Sequence, residues 1–221
     1  MEETNSNKKV ITMAMLVALA YLATFIGRIV LVPAVGFLKY DPKDIIIAIG
    51  GFIYGPLAAF IITLVASLVE MFTISETGII GLIMNVLATC AFVCPAAFIY
   101  KKRRNMQWAI VGLGIGCMAM VIVMLLWNYL ISPLYMGYPR EAIAKLLIPG
   151  FLPFNLLKGG LNAGITLLIY KPVVTALRKS NLVAPATTQE AVKDTRFGYV
   201  FVSSFVLVTC VLSILAFQQI I

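Results

Sequence analysis

Long apolar runs separated by short polar segments constrain this chain more than any other feature of its sequence. An α-helix needs about 20 consecutive apolar residues to cross the hydrocarbon core of a bilayer. Hydrophobic residues make up 62% of the 221 residues and charged residues only 12%, which is more apolar than a typical soluble domain. The runs cover about residues 10–32, 45–72, 79–100, 107–131, 147–177 and 197–221. The sequence therefore predicts an all-α integral membrane protein with one membrane domain.

The second run, residues 45–72, is interrupted in its middle by the sequence GGFIYGP. Gly55 tolerates unusual backbone angles and Pro56 lacks a hydrogen-bond donor, so this sequence favours a turn. The run can form one tilted helix or a hairpin of two short helices, at about 45–54 and 56–72. The distribution of basic residues decides between these alternatives.

Basic residues concentrate on the cytoplasmic side of membrane proteins. With a cytoplasmic N-terminus and a hairpin at 45–72, eleven basic residues lie inside and four outside. Those inside are Lys8, Lys9, Lys101, Lys102, Arg103, Arg104, Lys171, Arg178, Lys179, Lys193 and Arg196, and those outside are Lys39, Lys43, Arg140 and Lys145. A single helix would place the KKRR segment opposite the N-terminal lysines. We therefore predict the hairpin, in a multi-pass protein of the cell membrane.

This topology divides the chain into four segments. They are a cytoplasmic N-terminus at 1–9, a six-helix substrate-binding membrane domain at 10–179, a polar cytoplasmic linker at 180–196 and an additional transmembrane segment at 197–221. The first apolar run is longer than the 7–15 residues of a signal peptide core, so we expect it to be a retained helix. Two polar segments, 33–44 and 132–146, face outside.

Polar residues within the apolar runs are candidate functional residues, because they are costly in a membrane. Asn155, Lys158 and Asn162 have helical spacing and share one helix face. This face can bind a neutral polar ligand, or Lys158 can extend to the interface while the amides bond neighbouring helices. Asn128 also lies within an apolar run. Glu70 lies near a predicted helix end, and we expect it to reach the lipid headgroups.

Several classes of function are disfavoured by what the sequence lacks. It contains no histidine and no Walker-type phosphate loop, so we expect no catalytic residues, no metal site and no ATPase site of its own. No internal repeat of the kind found in many secondary transporters is evident. The net charge of +8 does not predict nucleic-acid binding, because the basic residues cluster at the ends of apolar runs.

Small residues spaced by four let membrane helices approach closely. Ala14 and Ala18 have this spacing in the first helix, and Gly112 and Gly116 repeat it in the fifth.

The chain contains four motifs in this order: FLKYDPKDI with GGFIYGPLA, ISETGIIGLIMN, WNYLISPLYMG and PFNLLKGGLN. Together they resemble the riboflavin-specific S components of energy-coupling-factor (ECF) vitamin transporters. The resemblance covers about residues 10–179. The GLIMN sequence departs from the family pattern, and 197–221 lies beyond the six-helix core.

The resemblance implies a six-helix subunit that captures riboflavin from outside. A transmembrane T component and two cytoplasmic ATPases, which use ATP, would drive its release inside, and no bound cofactor is implied. The implied ligand contacts are Leu38, Lys39, Tyr40, Asn128, Asn155 and Lys158, and the implied T-component contacts are Ala14 and Ala18. The segment FLKYDPKD becomes a lid over the ligand, in which Asp41 and Asp44 hold the loop's shape. Lys43 and Asp44 are expected to cap the next helix or meet headgroups.

Two alternatives remain open at this point. The protein can be an S component for a different vitamin or precursor, or a stand-alone secondary carrier that needs no ATPase. A purely structural membrane protein is a third, less favoured, reading.

Overall fold

The second apolar run forms the predicted hairpin. Helix α2 (Lys43–Tyr54) ends at Gly55, whose φ of 93° is in a region that favours glycine, and α3 (Pro56–Thr73) begins with proline in its first turn. Because α2 has only 12 residues, it extends about 18 Å and is too short to cross a bilayer alone. The hairpin prediction is confirmed.

The computed structural model describes residues 2–75, 77–183 and 196–220. Its remaining helices are α1 (Glu2–Ile26), α4 (Gly78–Arg103), α5 (Met106–Leu130), α6 (Ser132–Met136), α7 (Arg140–Leu146), α8 (Leu152–Lys179) and α9 (Arg196–Phe217). A π-helical turn, Leu147–Phe151, joins α7 to α8. Within these described ranges, six helices are long and apolar enough to cross a membrane. The prediction of an all-α membrane protein is confirmed.

Helix α8 ends at Lys179, and the division of the chain into four segments stays a prediction. Helix α1 begins at Glu2, well before its apolar run, so the segment 1–9 is largely helical. Most of the predicted polar linker, residues 184–195, lies outside the described residues.

The two ends of the bundle differ in composition. The end that holds the KKRR segment (101–104) is called the basic end, and the end that holds loop 27–42 and helices α6 and α7 is called the loop end. Loop 27–42 contains a short antiparallel hairpin of β1 (Ile29–Val30) and β2 (Lys39–Tyr40), in which Ile29 pairs with Tyr40. This hairpin was not predicted from the sequence, because two-residue strands give no detectable alternation.

Helices α4 and α5 pack with their backbones close together. A Cβ atom on Gly112 would lie 2.9 Å from the carbonyl oxygen of Ala96, and one on Gly116 would collide with the backbone of Phe92. The predicted small-residue spacing therefore serves a close helix contact. Nearer the basic end, Phe52 packs on Tyr100 and Tyr170 with ring centroids 4.5 Å and 5.4 Å away. This aromatic cluster closes the basic half of the core.

Candidate ligand-binding site

A cavity of about 370 Å³ opens at the loop end. Its volume lies within the range of about 300–1,000 Å³ that is usual for small-molecule sites. Apolar groups from the loop and from α4, α5, α6 and α8 form part of its wall: Phe37, Leu38, Met84, Ala88, Met124, Met136 and Phe154. Polar groups between them are Arg28, Lys39, Asp41, Ser75, Thr77, Asn85, Asn128, Tyr135, Asn155 and Lys158. A wall that combines apolar side chains with many polar groups suits a largely flat organic ligand with polar edges.

Five of the six predicted ligand contacts line this cavity. They come from loop 27–42, from α5 and from α8: Leu38, Lys39, Asn128, Asn155 and Lys158. These residues are far apart in the sequence, and the bundle brings them to one place. Their contact with a ligand stays a prediction.

Tyr40, the sixth predicted contact, does not line the cavity. It is buried in the core, and its hydroxyl donates a hydrogen bond to Asn162 Oδ1 at 2.8 Å. Burial, together with the negative charges of Asp44 and Asp41, raises the pKa of this hydroxyl. The opposite directions of Lys39 and Tyr40 follow from the strand, because neighbouring residues of a strand point to opposite faces. Tyr40 thus fixes the loop to α8.

The two cavity asparagines have similar local geometry. The Nδ2 groups of Asn128 and Asn155 each donate to a carbonyl four residues earlier in the chain, those of Met124 and Phe151, at 2.7 Å. The Oδ1 atom of Asn128 also accepts a bond from Ser132 at 2.9 Å. These bonds hold both side chains in defined positions, at 1% and 2% exposure. Buried amides fixed in this way can offer a donor or an acceptor to a ligand.

Lys158 lies at the bottom of the cavity with its ammonium group between two carboxylates. Its Nζ is 3.5 Å from Asp41 Oδ2 and 3.6 Å from Asp44 Oδ2, and its side chain is 8% exposed. The alternative in which Lys158 extends to the membrane interface is therefore wrong. Burial alone would raise the pKa of Asp41, but the positive charges of Lys158 and Lys43 outweigh it and lower that pKa below its ordinary value.

A second ion pair lies beside the first. The Nζ of Lys43, in the first turn of α2, is 2.6 Å from Glu70 Oε2 in α3, and both side chains are almost fully buried. Thr24 and Asn85 also donate to Glu70, at 3.2 Å and 3.3 Å. The expectation that Glu70 meets lipid headgroups is wrong, and so is the headgroup alternative for Lys43, because both side chains are buried in this ion pair.

Asp44 connects the two ion pairs to the surrounding helices. Its carboxylate accepts hydrogen bonds from Thr89 in α4 at 2.6 Å and from Asn162 in α8 at 3.1 Å. The expectation that Asp44 meets headgroups is wrong, because its carboxylate is buried and joins α2 to α4 and α8. A role of Asp44 in holding the loop's shape stays a prediction. Three carboxylates and two ammonium groups are thus buried together, with Arg28 at the cavity rim.

Buried ion pairs contribute little net stability, because desolvation offsets their attraction. Charged groups inside a membrane domain are therefore more informative about function than about folding. Membership of Lys43, Asp44 and Glu70 in one cluster with Lys158 was not predicted from the sequence. The detectable signal was that two charges, Lys43 and Asp44, begin a helix too short to span the membrane.

Comparisons with known proteins show which family this chain belongs to. A family model described as ECF transporter, substrate-specific component, matches residues 8–170. The riboflavin transporter RibU of Staphylococcus aureus is 33% identical over 181 residues, which cover 78% of this chain and 94% of that protein. The riboflavin transporter FmnP of Bacillus subtilis is 29% identical, with 79% of this chain and 98% of that protein covered.

A solved structure supports the same relationship. It is described as the "Structure and mechanism of the S component of a bacterial ECF transporter", and it matches with a TM-score of 0.65 and 31% identity. The match covers 78% of this chain and 99% of that one. The family model spans well over half of this chain, and the relative from S. aureus is more than 30% identical over nearly its full length. The chain therefore belongs to the family of substrate-specific S components of ECF transporters.

Proposed function

We propose that this protein binds riboflavin from outside the cell and delivers it inward as the S component of an ECF-type importer. The observation that carries the proposal is the loop-end cavity, in which Lys158, Asn128 and Asn155 converge between apolar walls. The relatives named as riboflavin transporters point to the ligand.

The shape and chemistry of the cavity suit a flavin. The isoalloxazine ring is planar, with apolar faces and with carbonyl and nitrogen groups along its edges. Leu38, Met124 and Phe154 would cover the faces of the ring, since apolar contact supplies most of the affinity in such sites. Asn128 and Asn155 would bond polar ring edges or ribityl hydroxyls. The ammonium of Lys158 would donate to a ligand oxygen while Asp41 and Asp44 hold it in place.

The orientation follows from the basic residues. The basic end would face the cytoplasm and the loop end the outside, which opens the cavity to the external medium. The burial of Lys43 strengthens this assignment, because it removes one basic residue from the outer surface.

Coupling to ATP would come from partner subunits. Ala14 and Ala18 are exposed on α1, where their small side chains leave the helix backbone accessible to a partner helix. We propose this surface as the contact with a T component, which in turn binds two cytoplasmic ATPases. Ala14→Trp together with Ala18→Trp should abolish uptake and leave riboflavin binding unchanged, because the cavity lies at the other end.

Riboflavin fluorescence provides the direct test. Wild-type protein in detergent should quench added riboflavin at nanomolar to micromolar concentration, and it should be yellow if the ligand is retained during purification. A colourless protein that leaves riboflavin fluorescence unchanged would contradict the proposal. A panel of other vitamins then identifies the alternative S-component ligand.

The stand-alone carrier is the second candidate function. Uptake of riboflavin is measured in cells that express this chain with and without the T component and ATPases. Transport should require the partners. Uptake that persists without them would favour the stand-alone carrier.

A further inference from the structure

Helix α9 lies outside the part of the chain that the family model matches, yet it contacts the ligand-binding end. The family match ends at residue 170 and α9 begins at Arg196. The helix packs along α8, which carries Asn155 and Lys158. It runs antiparallel to α8, so its last turns lie at the loop end.

Small residues make the contact between α8 and α9 close. A Cβ atom on Gly160 would lie 2.7 Å from Cys210 Sγ, and one on Gly164 would lie 2.8 Å from Leu207 Cγ. Ser203, which also faces Gly164, is fully buried. The spacing of Gly160 and Gly164 is that of close membrane-helix pairs. Helix α9 therefore packs closely against α8.

The same face of α9 reaches loop 27–42. Cys210 is buried in one hydrophobic cluster with Leu31, Val32, Val35 and Tyr40 of the loop. Further residues of α9 pack against this cluster: Val206, Leu207 and Ile214. The loop thus rests on a surface that α8 and α9 form together.

A polar contact at the end of α9 adds to this packing. The side chain of Gln218 donates a hydrogen bond to the carbonyl of Val30 at 3.1 Å. Val30 pairs with Lys39 across the β1–β2 hairpin, and Lys39 lines the cavity. At the other end of α9, the ring of Tyr199 lies 4.8 Å from Lys171 Nζ in α8. The helix is anchored at both ends, and its loop end holds the hairpin.

We propose that α9 is a positioning element that holds loop 27–42 over the cavity and thereby slows exchange of the ligand. The proposal rests on the proposed function, since it concerns access to that same cavity. The residues that carry it are Cys210, which packs beneath the loop, and Gln218, which bonds its first strand. Both act through the loop and do not line the cavity.

Two neighbouring residues of α9 provide a matched test in the full chain. Cys210→Phe adds a ring that must displace α9 from Gly160, whereas Val211→Phe adds the same ring at a position that is 48% exposed. Stopped-flow fluorescence measures riboflavin association and dissociation for both variants. Cys210→Phe should raise the dissociation rate by about fivefold or more, since changes of this kind act mainly on dissociation. Val211→Phe should match the wild type.

A milder pair of variants provides a second test in case Cys210→Phe does not fold. Gln218→Ala removes only the bond to Val30 and should raise the dissociation rate about twofold. Phe217→Ala, at the neighbouring exposed position, should leave it unchanged. If α9 only stabilised the bundle, these variants would lower the melting temperature without changing the dissociation rate of the folded protein. Unchanged dissociation rates in both Cys210→Phe and Gln218→Ala would overturn the proposal.

A ligand-independent measurement separates this proposal from the proposed function. Val35→Cys places a thiol on the inner face of the loop, at a position where Val35 is fully buried. Without ligand, a membrane-impermeant maleimide should label this thiol faster when Cys210→Phe is also present than when Val211→Phe is. Equal labelling rates would contradict the role of α9. If the wild-type protein does not bind riboflavin, the proposed function is refuted. The labelling rates would still decide the role of α9, because they are measured without ligand.

Discussion

The loop end and the basic end of this bundle differ in the side chains that are buried in their cores. The core of the loop end contains two buried ion pairs, Lys158 with Asp41 and Lys43 with Glu70, next to a cavity. The core of the basic half contains closely packed rings, with Phe52 against Tyr100 and Tyr170. Packed rings stabilise a fold, whereas buried charges contribute little net stability. The difference fits the proposed function, in which the loop end binds the ligand and the basic end supports the structure.

The largest expected effect is at Lys158. Lys158→Ala should lower riboflavin affinity by at least about 100-fold, because it removes the proposed ligand donor and leaves Asp41 and Asp44 without their partner. Fluorescence titration measures the change. Lys145→Ala, at an exposed position of α7, is the control and should bind like the wild type. If the Lys158→Ala protein folds and keeps wild-type affinity, the loop-end cavity is not the riboflavin site.

The complementary change at the basic half is Phe52→Ala. It should lower the free energy of unfolding by about 3–5 kcal/mol, because it leaves a cavity among buried rings. Affinity of the folded protein should stay within about twofold of wild type, since an effect confined to packing leaves the binding geometry unchanged. Thermal unfolding in detergent measures the first quantity and titration the second.

The control for this variant is Phe98→Ala, which removes the same ring from a position that is 54% exposed. It should change the melting temperature little. A large loss of affinity in folded Phe52→Ala would show that the two halves are coupled, and the division between them would fail.

Asparagine substitutions at the two ends should have smaller effects, on affinity at the loop end and on stability at the basic end. Asn128→Ala and Asn155→Ala at the loop end should each lower affinity by about tenfold, the effect of losing one good hydrogen bond to a ligand. Asn105→Ala at the basic end removes the cap that accepts from the backbone N–H of Trp108. It should instead lower the free energy of unfolding by about 1 kcal/mol with unchanged affinity. The reverse pattern, affinity lost at Asn105 and kept at Asn128 and Asn155, would contradict the comparison.

The smallest expected effect is at Lys39. This residue lines the cavity but is exposed, so water and salt screen its charge. Lys39→Ala should lower affinity by about twofold at low salt and by less at high salt. Arg140→Ala, also exposed at the loop end, should have no effect at either salt concentration. A loss of tenfold or more would mean that the loop encloses Lys39 when ligand binds.

Local sequence patterns were sufficient to predict much of the fold. Hydropathy located the long helices, and the sequence around Gly55 predicted the hairpin, because both signals depend only on neighbouring residues. Helical spacing also placed Asn155, Lys158 and Asn162 on one face of α8. Asn155 and Lys158 line the cavity, whereas Asn162 lies deeper and bonds Tyr40 and Asp44.

The partners of the buried charges could not be predicted in this way. Lys43 and Glu70 are 27 residues apart, and Asp44 and Asn162 are 118 apart, so only tertiary packing brings them together. Charges near helix ends ordinarily extend to the interface, which made Glu70 look like a headgroup contact. The direction of Tyr40 depends on a two-residue strand that has too few residues to show alternation.

The short helix α2 also has a consequence for how this protein enters the membrane. Alone, α2 is too short to span the hydrocarbon, and Lys43 at its start would lack a partner, which is costly within a membrane. Folded back on α3, it brings Lys43 against Glu70, and the two opposite charges cancel. We therefore expect the hairpin from Lys43 to Thr73 to insert as one unit, so that the pairing later used beneath the cavity is already made during biogenesis.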